Sequence, residues 1–192
     1  MKNGDLIIIP TDTVYGLAAK LYDRVALEKI YKIKGRDQSK QIPILCSKTS
    51  DLVTIIKSNS VSRELMRNLW PGPVTFIFPT LREYFELTGE KTIAARIPNH
   101  PLALELIEKY GVLRVTSLNK SGEPPFTDIE QIKREFGPYV AEIYEQKRDP
   151  SNISSTVVDL STGGIEILRE GTVTEEDLKD ALRRIQTFIT PK

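Results

Sequence analysis

Apolar positions along the chain follow two rhythms. Short runs rich in β-branched or aromatic residues occupy 6–9 (LIII), 42–46 (IPILC), 74–78 (VTFIF), 92–97 (TIAARI), 112–116 (VLRVT), 156–160 (TVVDL) and 165–169 (IEILR). Their length and composition predict strands. Between several of them apolar residues return every third or fourth position, which predicts helices with one buried face. One such helix carries Leu27 and Ile30 behind Asp23 as its cap, and another carries Leu102, Leu106 and Tyr110 between Asn99 and Gly111. A third carries Ile129, Ile132 and Phe136, opened by a Thr127/Glu130 capping box and closed by Gly137-Pro138. The last starts at Thr174 and aligns Leu178, Ala181, Leu182 and Ile185. Alternation of this kind predicts an α/β fold with helices packed on a mixed, largely buried sheet, in a single domain over 1–192.

The first strand runs into an unusual loop. Pro10 ends the apolar run, and Thr11, Asp12, Thr13 and Tyr15 follow at its carboxyl end, where open α/β sheets place ligands. Gly16 is expected to let the chain turn. The polar stretch 146–155, with Pro150 and Asn152 as turn formers, is expected to be a mobile loop.

Composition narrows the function classes. With 192 residues, 40% hydrophobic and 28% charged, the chain can bury a sizeable core. Its 27 basic and 26 acidic residues leave a net charge of +1, which argues against a stand-alone DNA or RNA binder. Cys46 and His100 are the only cysteine and histidine. That excludes an intrachain disulfide or a Cys/His zinc site and leaves little room for a Ser-His-Asp hydrolase. His100 is expected to pack at a helix start. No apolar run reaches membrane-spanning length and no signal-peptide pattern opens the chain, so a cytoplasmic location is expected.

Chemistry-bearing residues fall at several strand and helix ends. Lys34, Arg36 and Lys40 form a basic cluster at the end of the first helix. It suits either a solvated helix C-terminus or the grip of a polyphosphate, which a planar guanidinium can bind bidentately. Gly35 between them lets the backbone approach something closely. Neither a G-x-x-x-x-G-K-[ST] loop nor a G-x-G-x-x-G fingerprint is present, so any nucleotide must be held by side chains. Arg96 sits among apolar residues and needs a structural carboxylate or a carboxylate ligand. Thr116, Ser117 and Asn119 end one strand, Ser154 and Ser155 precede another, and Arg169 closes a third. Together they describe a pocket for a polyanion and a small polar molecule.

At this point the chain resembles the YrdC/TsaC-type threonylcarbamoyl-AMP synthase family. PTDTVYGL, IYKIKGR with Lys40, LWPGPVTFIF, IAARIPNHP, TSLNKSGEP, SSTVVDL and ILREGTV occur in the family's order. The resemblance implies a twisted mixed sheet with a concave ligand face, similar to dihydroxybutanone phosphate synthase. It implies that L-threonine, bicarbonate or CO2 and ATP yield threonylcarbamoyl-AMP and pyrophosphate. A partner transferase complex would then modify tRNA, so tight nucleic-acid binding is not expected. Lys34, Arg36, Ser117 and Asn119 match the catalytic set. Lys34, Arg36, Lys40, Thr92, Ser117, Asn119 and Arg169 are implied for ATP, and Thr13, Arg96, Thr116 and Ser155 for threonine. Mg2+ is expected to accompany ATP, held mainly by phosphates and water. Departures from the pattern include Asp37, Leu45, Leu118, which could trim the adenine pocket, and Glu170. The alternatives are a carbamoyl-adenylate-forming maturation module and a non-catalytic RNA-binding module on the same basic face.

Overall fold

The computed structural model describes residues 1–145, 151 and 153–189. Its strands are β1 (Ile7–Ile9), β2 (Gly16–Lys20), β3 (Ile44–Leu45), β4 (Val74–Pro79), β5 (Thr92–Arg96), β6 (Leu113–Ser117), β7 (Glu142–Ile143), β8 (Thr156–Asp159) and β9 (Glu166–Arg169). They form one mixed sheet in the order β7-β1-β2-β6-β3-β5-β4-β8-β9. Among the described residues the helices are α1 (Arg24–Lys34), α2 (Ser60–Leu69), α3 (Arg82–Thr88), α4 (Pro101–Tyr110), α5 (Ile129–Phe136) and α6 (Glu175–Ile189). None of them is long and apolar enough to cross a membrane.

Side-chain alternation divides the sheet into two faces. On the back, α1 and α5 bury Ile30, Ile132 and Phe136 against Leu6, Ile8, Leu17 and Ala19. Farther along the same face, Leu65 and Met66 of α2 and Leu178 of α6 pack on Phe76, Phe78, Ile93 and Val158. On the front, α4 alone among the described helices covers the sheet, placing Leu106 and Ile107 over Ile7, Ile9, Ala18, Leu45 and Val115. The front of β4, β5 and β8 instead mixes the polar side chains Thr75, Thr92, Arg96 and Asp159 with Ile77, Ala94 and Val157.

Each strand expected from the sequence forms, shortened by a residue or more, except that β4 runs one residue longer and β6 is shifted forward by one. Four elements were not expected. The segment of β2, GLAAK, mixes small and apolar residues without a β-branched run, and it forms because both edges pair, with β1 and with β6. Gly16 therefore does not turn the chain. It pairs with Ile9 and Ser117, and a Cβ there would lie 2.4 Å from Val115 Cγ1, so glycine is what lets β2 close on β6. The two-residue β7 is set by tertiary pairing with β1. Helices α2 and α3 are short and rich in polar residues, and α2 is announced by an Asn59/Ser62 capping box.

Caps refine the expected helix starts. The Asp23 carboxylate accepts from Ala26 N–H at 2.9 Å, as anticipated. For α5 the cap is Asp128, which accepts from Gln131 N–H at 2.7 Å, in place of Thr127. For α4 it is His100, whose Nδ1 faces Ala103 N–H at 3.4 Å. Gly35 takes a left-handed conformation (φ 57°) and ends α1, with Gly35 N–H on Lys32 O and Arg36 N–H on Tyr31 O. Nothing lies within 4 Å of where its Cβ would be, so helix termination, and not close approach, explains the glycine.

Candidate active site

The first cluster sits where α1 ends against the end of β6. Lys34 is buried, at 2% exposure, and its ammonium donates to Ser117 O, to Asn119 O at 2.7 Å and to Asn119 Oδ1 at 2.9 Å. An ammonium has three N–H donors, so all of them are committed to this corner. Ser117 Oγ closes the ring by hydrogen bonding to Asn119 Oδ1 at 2.6 Å. Asn119 Nδ2 holds the following turn through Lys120 O and Glu123 O. Burial, with Arg36 nearby, lowers the Lys34 pKa to about 8.

Arg36 is arranged differently. Its Nε donates to Lys40 O at 2.9 Å and its Nη2 to Gln41 O at 3.0 Å, while Tyr31 OH also donates to Lys40 O. Two of the five guanidinium N–H groups are thereby anchored, leaving a half-exposed fork with donors to spare. The Lys40 side chain is exposed on the same segment.

The second cluster lies on the front face around Arg96. Its side chain, on a residue only 5% exposed, is held on three sides. Nε donates to Gly72 O at 2.9 Å, Nη1 to Thr13 Oγ1 at 2.9 Å, and Nη2 forms an ion pair with Asp12 Oδ1. Burial works against the Arg96 charge, and the Asp12 carboxylate opposes that effect. Thr13 is fixed in turn by Thr11, whose hydroxyl lies 3.0 Å away and donates to Val14 O at 2.6 Å. Beside them, Ser155 Oγ hydrogen-bonds to Thr75 Oγ1 at 2.8 Å, and Arg169 Nη2 donates to Ser155 O at 2.8 Å.

The loop 10–15 joins the clusters. At one end Tyr15 O accepts from Leu118 N–H at 3.2 Å, next to Ser117 and Asn119; at the other, Asp12 and Thr13 hold Arg96. The strands run in both directions, so the functional side chains do not gather at a single sheet edge. By register Arg96 is level with Leu45 and Leu113, at the far end of β6 from Ser117. Loop 10–15 bridges that distance.

Three comparisons give this geometry a lineage. Residues 1–171 match the Sua5/YciO/YrdC family, described as telomere recombination. The chain belongs to this family. It is similar to the threonylcarbamoyl-AMP synthase of Thiobacillus denitrificans, with 34% identity over 169 residues that cover 86% of this chain and 89% of that one. The enzyme of the same name from Klebsiella pneumoniae is 33% identical over 180 residues, covering 89% and 92%. Among solved structures, Pyrococcus abyssi Sua5 complexed with L-threonine superposes with a TM-score of 0.85 at 30% identity, over 93% of this chain and 54% of that chain.

Within the Sua5/YciO/YrdC fold the sequence-derived site residues divide as follows. Lys34, Ser117 and Asn119 touch one another, with Arg36 and Lys40 on the adjoining segment. Thr13 touches Arg96. Ser155 and Arg169 touch each other, so Arg169, expected at the nucleotide, is tied to a residue expected at threonine. Thr92 shares the front face with Arg96 but opens β5, roughly 13 Å away along the strand. Thr116 is buried and pairs with Leu17, and alternation turns it to the back face, away from Arg96. Leu118 is fully buried among Ile30, Ile132 and Phe136, and Leu45 packs under α4, so neither trims a pocket. Most of 146–155 lies outside the described residues, although Ser151 N–H reaches Asp12 O at 3.3 Å.

Several participants had no functional reading in the sequence. Thr75 is the polar break in VTFIF, an alternation signal visible in principle. Gly171 is another: a Cβ there would fall 2.1 Å from Ser154 O and 2.7 Å from Thr156 N. The contact is backbone on backbone, reinforced by Gly171 N–H and Val173 N–H donating to Thr156 Oγ1 at 3.0 and 3.1 Å. It presses the end of β9 onto the Ser155 segment, and only tertiary structure reveals it.

Proposed function

We propose that the protein is an L-threonylcarbamoyladenylate synthase, converting L-threonine, bicarbonate and ATP into threonylcarbamoyl-AMP, pyrophosphate and the water lost as bicarbonate yields CO2. The observation that carries this reading is the Thr13–Arg96–Asp12 assembly, a buried guanidinium presented beside a threonine hydroxyl and Ser155. Arg96 has five N–H donors and three are in use, so two remain for a carboxylate. The threonine carboxylate meets those two donors, and Thr13 and Ser155 orient its amine and hydroxyl. Membership of the family and the threonine complex of the Pyrococcus abyssi relative support this assignment.

The chemistry then requires positioning and charge, with no protein nucleophile. The threonine amine loses a proton as it takes up CO2, giving a carbamate. A carbamate oxygen attacks the α-phosphorus of ATP, the bond from that phosphorus to the bridging oxygen breaks, and pyrophosphate leaves. Arg36, with its remaining N–H donors, grips phosphate oxygens, and Lys40 adds charge from the same segment. Lys34, with its N–H groups committed, holds Ser117 and Asn119 in place and stabilises developing negative charge. Arg169 acts from the Ser155 side and Thr92 from the start of β5.

Mg2+ accompanying ATP would take its ligands from phosphates and water. The donor set suits that arrangement, since Arg36 and Lys40 can bind phosphate oxygens but cannot ligate the cation. Transfer to tRNA falls to a separate complex, consistent with the net charge of +1.

The test is to incubate the protein with ATP, bicarbonate and a panel of amino acids while following pyrophosphate release. Turnover that depends on threonine is expected, and Arg96→Ala should raise the threonine KM far more than the ATP KM. Pyrophosphate release from carbamoyl phosphate and ATP without threonine would instead indicate carbamoyl-adenylate formation. Salt-dependent RNA binding without turnover would indicate a non-catalytic module.

A further inference from the structure

Behind the sheet, on the face opposite Ser117, lies a cavity of about 350 Å3 that the proposed reaction does not use. Leu21, Tyr22, Leu27 and Leu87 supply apolar wall, while Arg24, Glu90 and Arg114 bring charge of both signs. Arg114 is only 3% exposed and belongs to β6, where alternation turns it away from Val115 and the front face. Its Nη2 bonds Tyr84 OH at 2.8 Å and pairs with Glu90 Oε2, and its Nη1 donates to Ile42 O at 2.8 Å. Its buried Nε has no partner among the described residues. Tyr84 OH also donates to Glu90 Oε2 at 3.0 Å, and burial raises the tyrosine pKa.

A buried ion pair is an expensive way to fill space that apolar side chains could fill, and here it adjoins a void. Arg24, exposed at the rim, donates through Nη2 to Leu87 O at 3.3 Å, bridging the mouth from α1 to α3. Two cations and one carboxylate thus share a small chamber with apolar walls, within the size range of small-molecule sites.

We propose that this chamber is a second ligand site, for a small apolar α-amino acid bound as its zwitterion. The ligand carboxylate lies toward Arg24 and Arg114, its ammonium toward Glu90, and its side chain among Leu21, Leu27 and Leu87. Arg114 also anchors Ile42 O, one residue from Gln41 O, which holds Arg36. The chamber therefore lies one peptide unit from the backbone that holds Arg36, which follows the back-face helix α1.

Binding can be read without any turnover, so its failure is separate from failure of the synthase reading. L-phenylalanine is titrated into the labelled protein, without ATP or threonine, and backbone amide shifts are followed by NMR. Saturable shifts at Leu21, Leu27, Leu87 and Thr88 with a Kd below about 5 mM are expected. Phenethylamine and 3-phenylpropanoate, each lacking one charge, should bind at least about tenfold more weakly. Arg24→Glu, a change at an exposed position, should weaken L-phenylalanine to a similar degree and leave the fold intact, whereas Glu90→Gln removes a buried partner and also risks stability. No saturation, shifts centred on Thr13 and Ser155, or equal affinity for all three probes and for Arg24→Glu would overturn the proposal.

Discussion

Lys34 carries a charge where burial and Arg36 bring its pKa to about 8. If the ammonium is needed to tie Ser117 to Asn119, kcat should decline as pH rises through about 8. Lys34→Arg, charged throughout this range, should move the decline to higher pH. Stability should follow the opposite course. The folded pKa lies below the ordinary 10.5, so the unfolded chain binds the proton more readily between the two values. This group therefore adds stability as pH rises from about 8 toward 10.5, and urea titrations across that window check the sign. Asp12 makes a second residue-scale case. Asp12→Asn leaves Arg96 buried without its counter-charge and should cost roughly 3 kcal/mol. An unchanged urea midpoint would show that the pair contributes nothing. The basic cluster and the lone arginine in an apolar strand were readable in the sequence. Their partners were not, because Asp12 and Arg96 are 84 positions apart and no local pattern couples them.

At the scale of elements, apolar periodicity disclosed the strands that are buried or β-branched and the helices with a clear stripe. It missed β2 and β7, whose existence depends on neighbours supplied by distant segments, and it missed the short polar α3 and also α2, although Val61, Leu65, Met66 and Leu69 make an apolar stripe on it. Two glycines were assigned the wrong physical role for the same reason. Gly16 meets Val115 from β6 and Gly35 terminates α1, facts fixed by pairing and by backbone dihedrals. Gly171 extends the point to function. Gly171→Ala would push a methyl group into the backbone of Ser154 and Ser155, and relief requires moving one segment off the other. The expected outcome is a several-fold rise in the threonine KM with a smaller change in the ATP KM. Equal changes in both would mean that the clasp supports the fold as a whole and not the threonine side of the site.

Across the whole molecule, one mixed sheet keeps a front beside α4 that no other described helix covers, and loop 10–15 stretches over it to connect the Lys34 corner with the Arg96 assembly. The fold class and most residues of the two clusters could be read from the order of motifs along the chain. Their division into two clusters could not, since strand direction and register decide which ends meet. The proposed synthase reaction assigns threonine to one cluster and the phosphates to the other, with the carbamate formed between them. The most direct test supplies isotopically labelled bicarbonate with ATP and threonine and weighs the adenylate product by mass spectrometry. Threonylcarbamoyl-AMP carrying the label is expected, formed in step with pyrophosphate and absent when threonine is withheld. An unlabelled adenylate, or pyrophosphate released at the same rate without threonine, would contradict the proposed synthase reaction.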